Sequence, residues 1–282
     1  MSGFRKTFAP LIDLLKAGAV VGSRPAVNLI EGDGVTLDVI DNPTSDRIDV
    51  TVSATGGQGL SARQIMVVNN GGDAIDGAFD MSGDAVIKHI WVTGTAFDSI
   101  ILAGCLSLKF FDASNNAASL NSIDVTGCDA LEIAYFAGDS GSSVAAIDLS
   151  DCTSLRKFAA VGVHLPTIDL SGLTSLEEIS LNLNDLTSLS LAGLTSLMFL
   201  EVSNNAIEAV SLTGASALNT VYLFGNALPE AQVDAVLAFL DTAGTENGTL
   251  QLDGGTNSVP SAAGLVSKAN LEGKGWSVTV NE

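Results

Sequence analysis

Aromatic residues make up only 5 % of this chain, so whatever core it builds must be packed from aliphatic side chains. Bases are scarce too: 12 Lys and Arg stand against 32 Asp and Glu, a formal net charge of −20. Such a surface repels a phosphate backbone or an anionic lipid sheet, which argues against nucleic acid as a partner. No apolar run is long enough to span a bilayer, so no membrane insertion is expected. Histidine occurs only at His89 and His164, and no plausible nucleophile accompanies either. No phosphate loop and no zinc spacing occurs. These gaps lead to the expectation of no enzyme, no cofactor and no metal. Carboxylates are too abundant for counting to exclude a glycosidase pair, but no two stand out. The three cysteines are an odd number, which argues against a disulfide framework. Near the N-terminus Asp13 and Lys16 interrupt what would be the apolar core of a signal peptide, so no secretion signal is expected.

What the chain has instead is a period. From Asp84 onward, seven units of about 21 residues can be laid over one another, opening at Asp84, Cys105, Cys128, Cys152, Leu173, Leu194 and Ala215. Leu173-Thr-Ser-Leu176-Glu-Glu-Ile179-Ser-Leu181 realigns with Leu194-Thr-Ser-Leu197-Met-Phe-Leu200-Glu-Val202. This is the leucine-rich-repeat pattern, and it predicts a stacked solenoid. The first, fourth, seventh and ninth slots are apolar and face the core, which buries Cys105, Cys128 and Cys152 as unpaired thiols. A second alternating stretch follows in most units, as in Ile147-Asp-Leu149 and Leu189-Ser-Leu191, so each coil is expected to carry two short strands and little helix. Gly104, Gly127, Asp151, Gly172, Gly193 and Gly214 close coils where φ can turn positive. Asn116, Asn184, Asn205 and Asn226 share a slot from which a side chain can bond turn backbone; the units opening at Asp84, Cys128 and Cys152 lack it.

Five blocks follow. Residues 1–23 hold a short helix from Pro10 to Ala17 with Leu11, Leu14 and Leu15 on one stripe. Residues 24–56 alternate with period two at Val35–Val39 and Ile48–Val52, a hairpin turning through Asp41–Asp46 that needs further strands or chains to be stable. Residues 57–83 form a linker and N-terminal cap, residues 84–228 the solenoid. Residues 229–282 read as an α/β cap: a helix from Pro229 to Gly244, a strand at Gly248–Leu252, a helix from Ser261 to about Leu271 and a strand at Trp276–Val280. The fold class is therefore a leucine-rich-repeat β-solenoid with an N-terminal β-hairpin module and a small α/β C-terminal cap.

Two stretches also resemble known families. Arg24-Pro-Ala-Val-Asn-Leu-Ile-Glu-Gly-Asp-Gly-Val-Thr-Leu-Asp-Val, continuing into Asp46-Arg-Ile-Asp-Val-Thr-Val52, resembles a short module common in virion fibre and tail-associated proteins of tailed bacteriophages. The repeats, with Asn247-Gly-Thr-Leu-Gln-Leu and Pro260-Ser-Ala-Ala-Gly-Leu through Gly273-Lys-Gly-Trp276, resemble leucine-rich-repeat regions and their closing module in phage structural and bacterial surface proteins. The resemblance implies a virion component: its N-terminal part anchors to other virion proteins as an oligomer, a trimer by analogy with fibre proteins, and the solenoid decorates the particle or binds a host-surface glycan or protein. The alternatives are a bacterial cell-surface adhesin and a polysaccharide-degrading virion enzyme.

The sixth and eighth slots alternate with the core leucines and should project from one sheet. They supply the candidate ligand-binding residues Trp91, Phe110, Asp112, Tyr135, Lys157, Glu178, Phe199, Glu201 and Tyr222. Aromatic faces beside carboxylates suit carbohydrate or protein recognition. The same pattern also follows from the preference of sheets for aromatics, or from a neighbouring subunit that covers them. Asp124, Asp148 and Asp169 share one slot on the opposite segment, where stacking would hold them about 5 Å apart. Such a stripe is either solvated or bridged by a cation such as Ca²⁺.

Overall fold

The computed structural model describes residues 27–29, 35–42, 47–54, 64–69 and 76–282, save 86, 117–119 and 139–140. The strands are β1 (Val27–Leu29), β2 (Val35–Asn42), β3 (Arg47–Ala54), β4 (Gln64–Asn69), β5 (Asp76–Asp80), β6 (His89–Ile101), β7 (Phe110–Asn116), β8 (Ser122–Asp124), β9 (Ile133–Ala137), β10 (Lys157–Val161), β11 (Glu178–Ser180), β12 (Ser188–Ser190), β13 (Phe199–Glu201), β14 (Ala209–Ser211) and β15 (Thr220–Tyr222). Then come helix α1 (Glu230–Ala243), β16 (Thr249–Gln251), helix α2 (Ala262–Gly273) and β17 (Ser277–Thr279). The predicted helix at 10–17, the hairpin turn at 43–46 and the link at 55–61 lie outside the described residues.

The chain winds as a two-sided β-solenoid with few helices. Its front is one parallel ladder running β4, β6, β7, β9, β10, β11, β13, β15, β16, β17. The register advances one repeat per strand: Phe110 lies beside Ile133, Lys157 beside Glu178, Phe199 beside Thr220. Strand alternation does the sorting, because successive side chains point to opposite faces. Thus Phe158, Ile179, Leu200 and Val221 are buried while their strand neighbours are half-exposed. One continuous aliphatic core results, with a short run of rings at one end: Phe79, Phe97, Phe111, Phe136 and Phe158.

The stack runs further in both directions than residues 84–228. Strand β6 bends across both sides of the coil. Its start pairs with β4, Ile65 beside Ile90 and Val67 beside Val92; its end pairs with β5 and β8 on the back. Strands β4 and β5 therefore extend the front and back ladders beyond Asp84. Their apolar alternation fits the pleat although the repeat consensus is missing. At the other end β16 and β17 extend the front ladder, and α1 and α2 replace the back strands. Helix α1 begins after Pro229, ends at Gly244 with φ 83°, and buries Val233, Val236, Leu237 and Leu240, as their spacing predicts. The hairpin β2–β3 is paired from Val35 beside Ala54 to Asn42 beside Arg47, and β3 joins the back through β5. Its need for a further strand is met within the chain.

The back departs from expectation. Residues 147–149 and 168–170 keep the inward–outward alternation but form no strand. A groove of about 280 Å³ opens between the two segments, and the carboxylates of Asp148 and Asp169 bond the backbone of their own turns instead.

Coil-to-coil polar bonds hold the turns. Asn184, Asn205 and Asn226 repeat one pattern: Nδ2 donates to a carbonyl of the preceding coil and one of its own, as Asn226 does to Val202 (3.0 Å) and Leu223 (2.9 Å). Each Oδ1 accepts a buried backbone N–H of the preceding coil, Leu165, Leu186 and Ile207 in turn. Two members of this ladder were not legible in the repeat pattern. Asn257 continues it, accepting from Leu228 at 2.8 Å. Ser142 replaces it in the coil opening at Cys128, where its hydroxyl accepts from Leu120 N–H at 2.9 Å. Nothing is described of the Asn116 side chain. Asp151 differs from the glycines of its slot: its φ is not positive, and its carboxylate accepts from Gly127 N–H at 2.9 Å. The close stacking of the others is tightest at Gly214 (φ 90°), where a Cβ would lie 2.8 Å from the nitrogen of Gly193.

All three cysteines are fully buried and free. Cys105 and Cys128 donate to the carbonyls of Met81 (3.0 Å) and Leu102 (3.1 Å) one coil back. The neighbouring Cys128 thiol and burial hold Cys105 far above the ordinary thiol range, and burial pushes Cys152 up to about 12.

Candidate functional site

The outward slots of the front ladder form one row. Trp91, Asp112, Tyr135, Ala159, Ser180, Glu201 and Tyr222 follow one another strand by strand, with Phe110, Lys157, Glu178 and Phe199 in the row beside them. All nine sequence-derived candidates lie on this face, each half-buried. Six strand steps separate Trp91 from Tyr222, about 30 Å at the usual spacing of parallel strands.

The row is not uniform. At its N-terminal end the ring centroids of Trp91 and Phe110 are 4.9 Å apart and inclined by 38°. His89 stacks on Trp91 at 5.8 Å, and Tyr135 meets Phe110 edge-on at 6.3 Å. His89 was absent from the candidates although it occupies the same sixth slot as Phe110. Its Nδ1 is buried and has no hydrogen-bond partner among the described residues. The rings cover much of one another, and this is why they are half-buried rather than fully exposed. Loss of solvent raises the Tyr135 phenol above its usual range. A second, smaller cluster pairs Phe199 with Tyr222 at 5.9 Å, edge to face.

Between the clusters the face is polar and low. Ala159 and Ser180 occupy the eighth slot, and Lys157 Nζ reaches Glu178 Oε1 at 2.6 Å. That hydrogen bond holds the Lys157 ammonium above its ordinary range. Arg156 clasps Glu177 with two bonds of 3.0 and 2.8 Å, and Lys109 pairs with Glu132. Lys109, Arg156 and Lys157 thus each meet an acid one coil further on. Asp112 and Glu201 are oriented locally: Ser114 donates from its N–H (2.9 Å) and hydroxyl (2.6 Å) to Asp112, and the Ser203 hydroxyl donates to Glu201. The face therefore offers ring surface at both ends, two oriented carboxylates, and a neutralised centre.

The acidic stripe on the back works otherwise. Asp124, Asp148 and Asp169 each accept the backbone N–H two residues on, from Thr126 (3.1 Å), Ser150 (2.9 Å) and Ser171 (2.8 Å). Those bonds hold the carboxyls of Asp148 and Asp169 below the usual range. They act as turn-forming groups, and among the described residues no cluster of His, Cys, Asp or Glu is arranged to hold a metal ion. His164 lies in the left-handed region at φ 57° and reaches Asp185 at 3.1 Å. No helix among the described residues is long and apolar enough to cross a membrane.

No family model matches the chain, and no curated protein does. Among solved structures it is similar to an internalin from Listeria monocytogenes, with 14 % identity over 70 % of this chain and 68 % of the other, at a TM-score of 0.40. An overlap this loose bears on neither partner nor function.

Proposed function

We propose that this protein is a non-enzymatic recognition protein that uses the outward face of its front ladder to bind a host-surface protein or glycan. The observation that carries this reading is the unbroken half-exposed row from Trp91 to Tyr222, with rings gathered at its two ends. Aromatic side chains that keep part of their surface in water are the usual anchors of binding surfaces. For its setting we propose a tailed-bacteriophage virion, with the N-terminal strands docked on the particle. The resemblance of residues 24–52 to virion modules supports this. A bacterial cell-surface adhesin would use the same face, and the repeats resemble both groups. Immunogold labelling of intact particles and of intact cells separates the two settings.

The recognition reading predicts opposite responses from two classes of variant. Tyr135→Ala and Tyr222→Ala should change stability by about 0.5 kcal/mol or little more, and abolish binding to host cells. Leu197→Ala, at a fully buried position, should cost roughly 2–5 kcal/mol and keep binding while the protein remains folded. Thermal melting and cell binding are measured on the same preparations. Normal binding by both tyrosine variants overturns the assignment of the face.

A further inference from the structure

The back of the last coil ends on an edge that the chain itself fills only in part. Strands β12 and β14 are paired, Leu189 beside Val210, and the ladder continues through Leu191 N–H to Ser211 O (2.9 Å) and Gly193 N–H to Thr213 O (3.2 Å). One coil on, the equivalent donors are Val210, Leu212 and Gly214, but among the described residues no strand follows β14 in this sheet, and α1 packs beside it across a groove. Gln232 Oε1 takes the first of them, accepting from Val210 N–H at 3.1 Å in place of a backbone carbonyl. The N–H groups of Leu212 and Gly214 have no partner among the described residues. Beside this edge lies a groove of about 290 Å³, walled by Val210, Leu212, Val236 and Phe239. An edge strand with open donors along an apolar groove is what strand addition requires. Among the described residues the one base bonded to α1, Lys274 of the α2 C-cap, is paired with Asp241, and the charges left open near the edge are acidic. No Lys or Arg occurs between Lys157 and Lys268, and the exposed Glu208 and Glu230 stand at the start of β14 and of α1.

We propose that this groove docks an extended, basic peptide segment of another protein as an added back strand. Its carbonyls accept from Leu212 and Gly214, alternate apolar side chains enter the groove against Val236 and Phe239, and the intervening Lys or Arg side chains face Glu208 and Glu230. The site is separate from the front face and does not depend on its role. The test uses the full chain and a fluorescently labelled synthetic peptide of alternating Val and Lys, read by anisotropy near physiological ionic strength. A second peptide of the same composition groups its Lys at one end. Saturable binding of the alternating peptide is expected, with the grouped peptide at least about tenfold weaker. Ala235→Trp fills the groove from an exposed position on α1 and should weaken binding by a similar factor. Thr213→Trp should do the same from the strand side, and circular dichroism checks that both variants fold. Leu106→Ala, exposed and far along the stack, should bind as the parent does. Equal binding of the two peptides, parental binding by both groove-filling variants, or no saturable binding overturns the proposal.

Discussion

At the scale of single residues, burial decides behaviour more than residue type does. Cys105, Cys128 and Cys152 lie at 0 % exposure, so native protein should react slowly with a thiol reagent whereas denatured protein exposes three thiols. Rapid labelling of all three in the native state would refute the packing. Burial also gives a pH dependence. Cys152 stays neutral in the fold up to about 12 against an ordinary 9.0. The stability it lends is complete below 9.0 and is lost as pH rises towards 12, because the unfolded chain ionises first. Urea midpoints should therefore fall above pH 9.0, less steeply in Cys152→Ala. Asn226 is the polar counterpart. At 2 % exposure it satisfies Ile207 N–H and the carbonyls of Val202 and Leu223. Asn226→Ala leaves these groups buried and unpaired, and should cost about 3 kcal/mol in denaturant unfolding. A loss well under 1 kcal/mol would mean that water replaces the side chain.

At the scale of elements, the closing helices are joined by one polar knot. The Ser261 hydroxyl caps α2 by accepting from Ala263 N–H (3.1 Å) and donates to Asp234 of α1 at 2.5 Å. Gly264 leaves room for that contact: a Cβ there would lie 2.0 Å from Asp234 Oδ1. Helix propensity alone favours alanine over glycine by about 1 kcal/mol. We expect the knot to win, so that Gly264→Ala destabilises by about 1–2 kcal/mol. Gly273 of the same helix has no neighbour within 4 Å of its Cβ position. Gly273→Ala should be neutral or stabilising in the same thermal melts. Two variants of equal sign would show that propensity, not packing, governs α2.

At the scale of the whole molecule, the two ends of the solenoid differ. The C-terminal end is closed by α1 and α2, whereas the hairpin β2–β3 continues the back, and β2 has no strand on its outer side among those described. Such an edge invites pairing between subunits. We expect the full chain to be an oligomer and a chain beginning at Gln64 to be a monomer, as measured by light scattering. An unchanged oligomeric state in the shortened chain would move the contacts to the solenoid.

The period of about 21 residues, the inward and outward slots and the two closing helices were legible in the sequence. Each is set by local spacing: alternation along a strand, a 3.6-residue stripe between Pro229 and Gly244, and glycine where φ is positive. The nine candidate residues shared one face for the same reason. Which of them touch was decided only by stacking. Neighbours on the ladder are a coil apart in sequence, so the rings of His89, Trp91, Phe110 and Tyr135, and the pairs Lys157–Glu178 and Phe199–Tyr222, meet only once inter-coil register is fixed. Stacking also decided how far the ladder extends, since β4 and β5 pair with β6 without matching the repeat consensus. It let Ser142 stand in for an asparagine, because a buried N–H needs an acceptor at the right place rather than a particular residue. And it opened the back between Asp148 and Asp169, although each segment keeps the alternation of a strand.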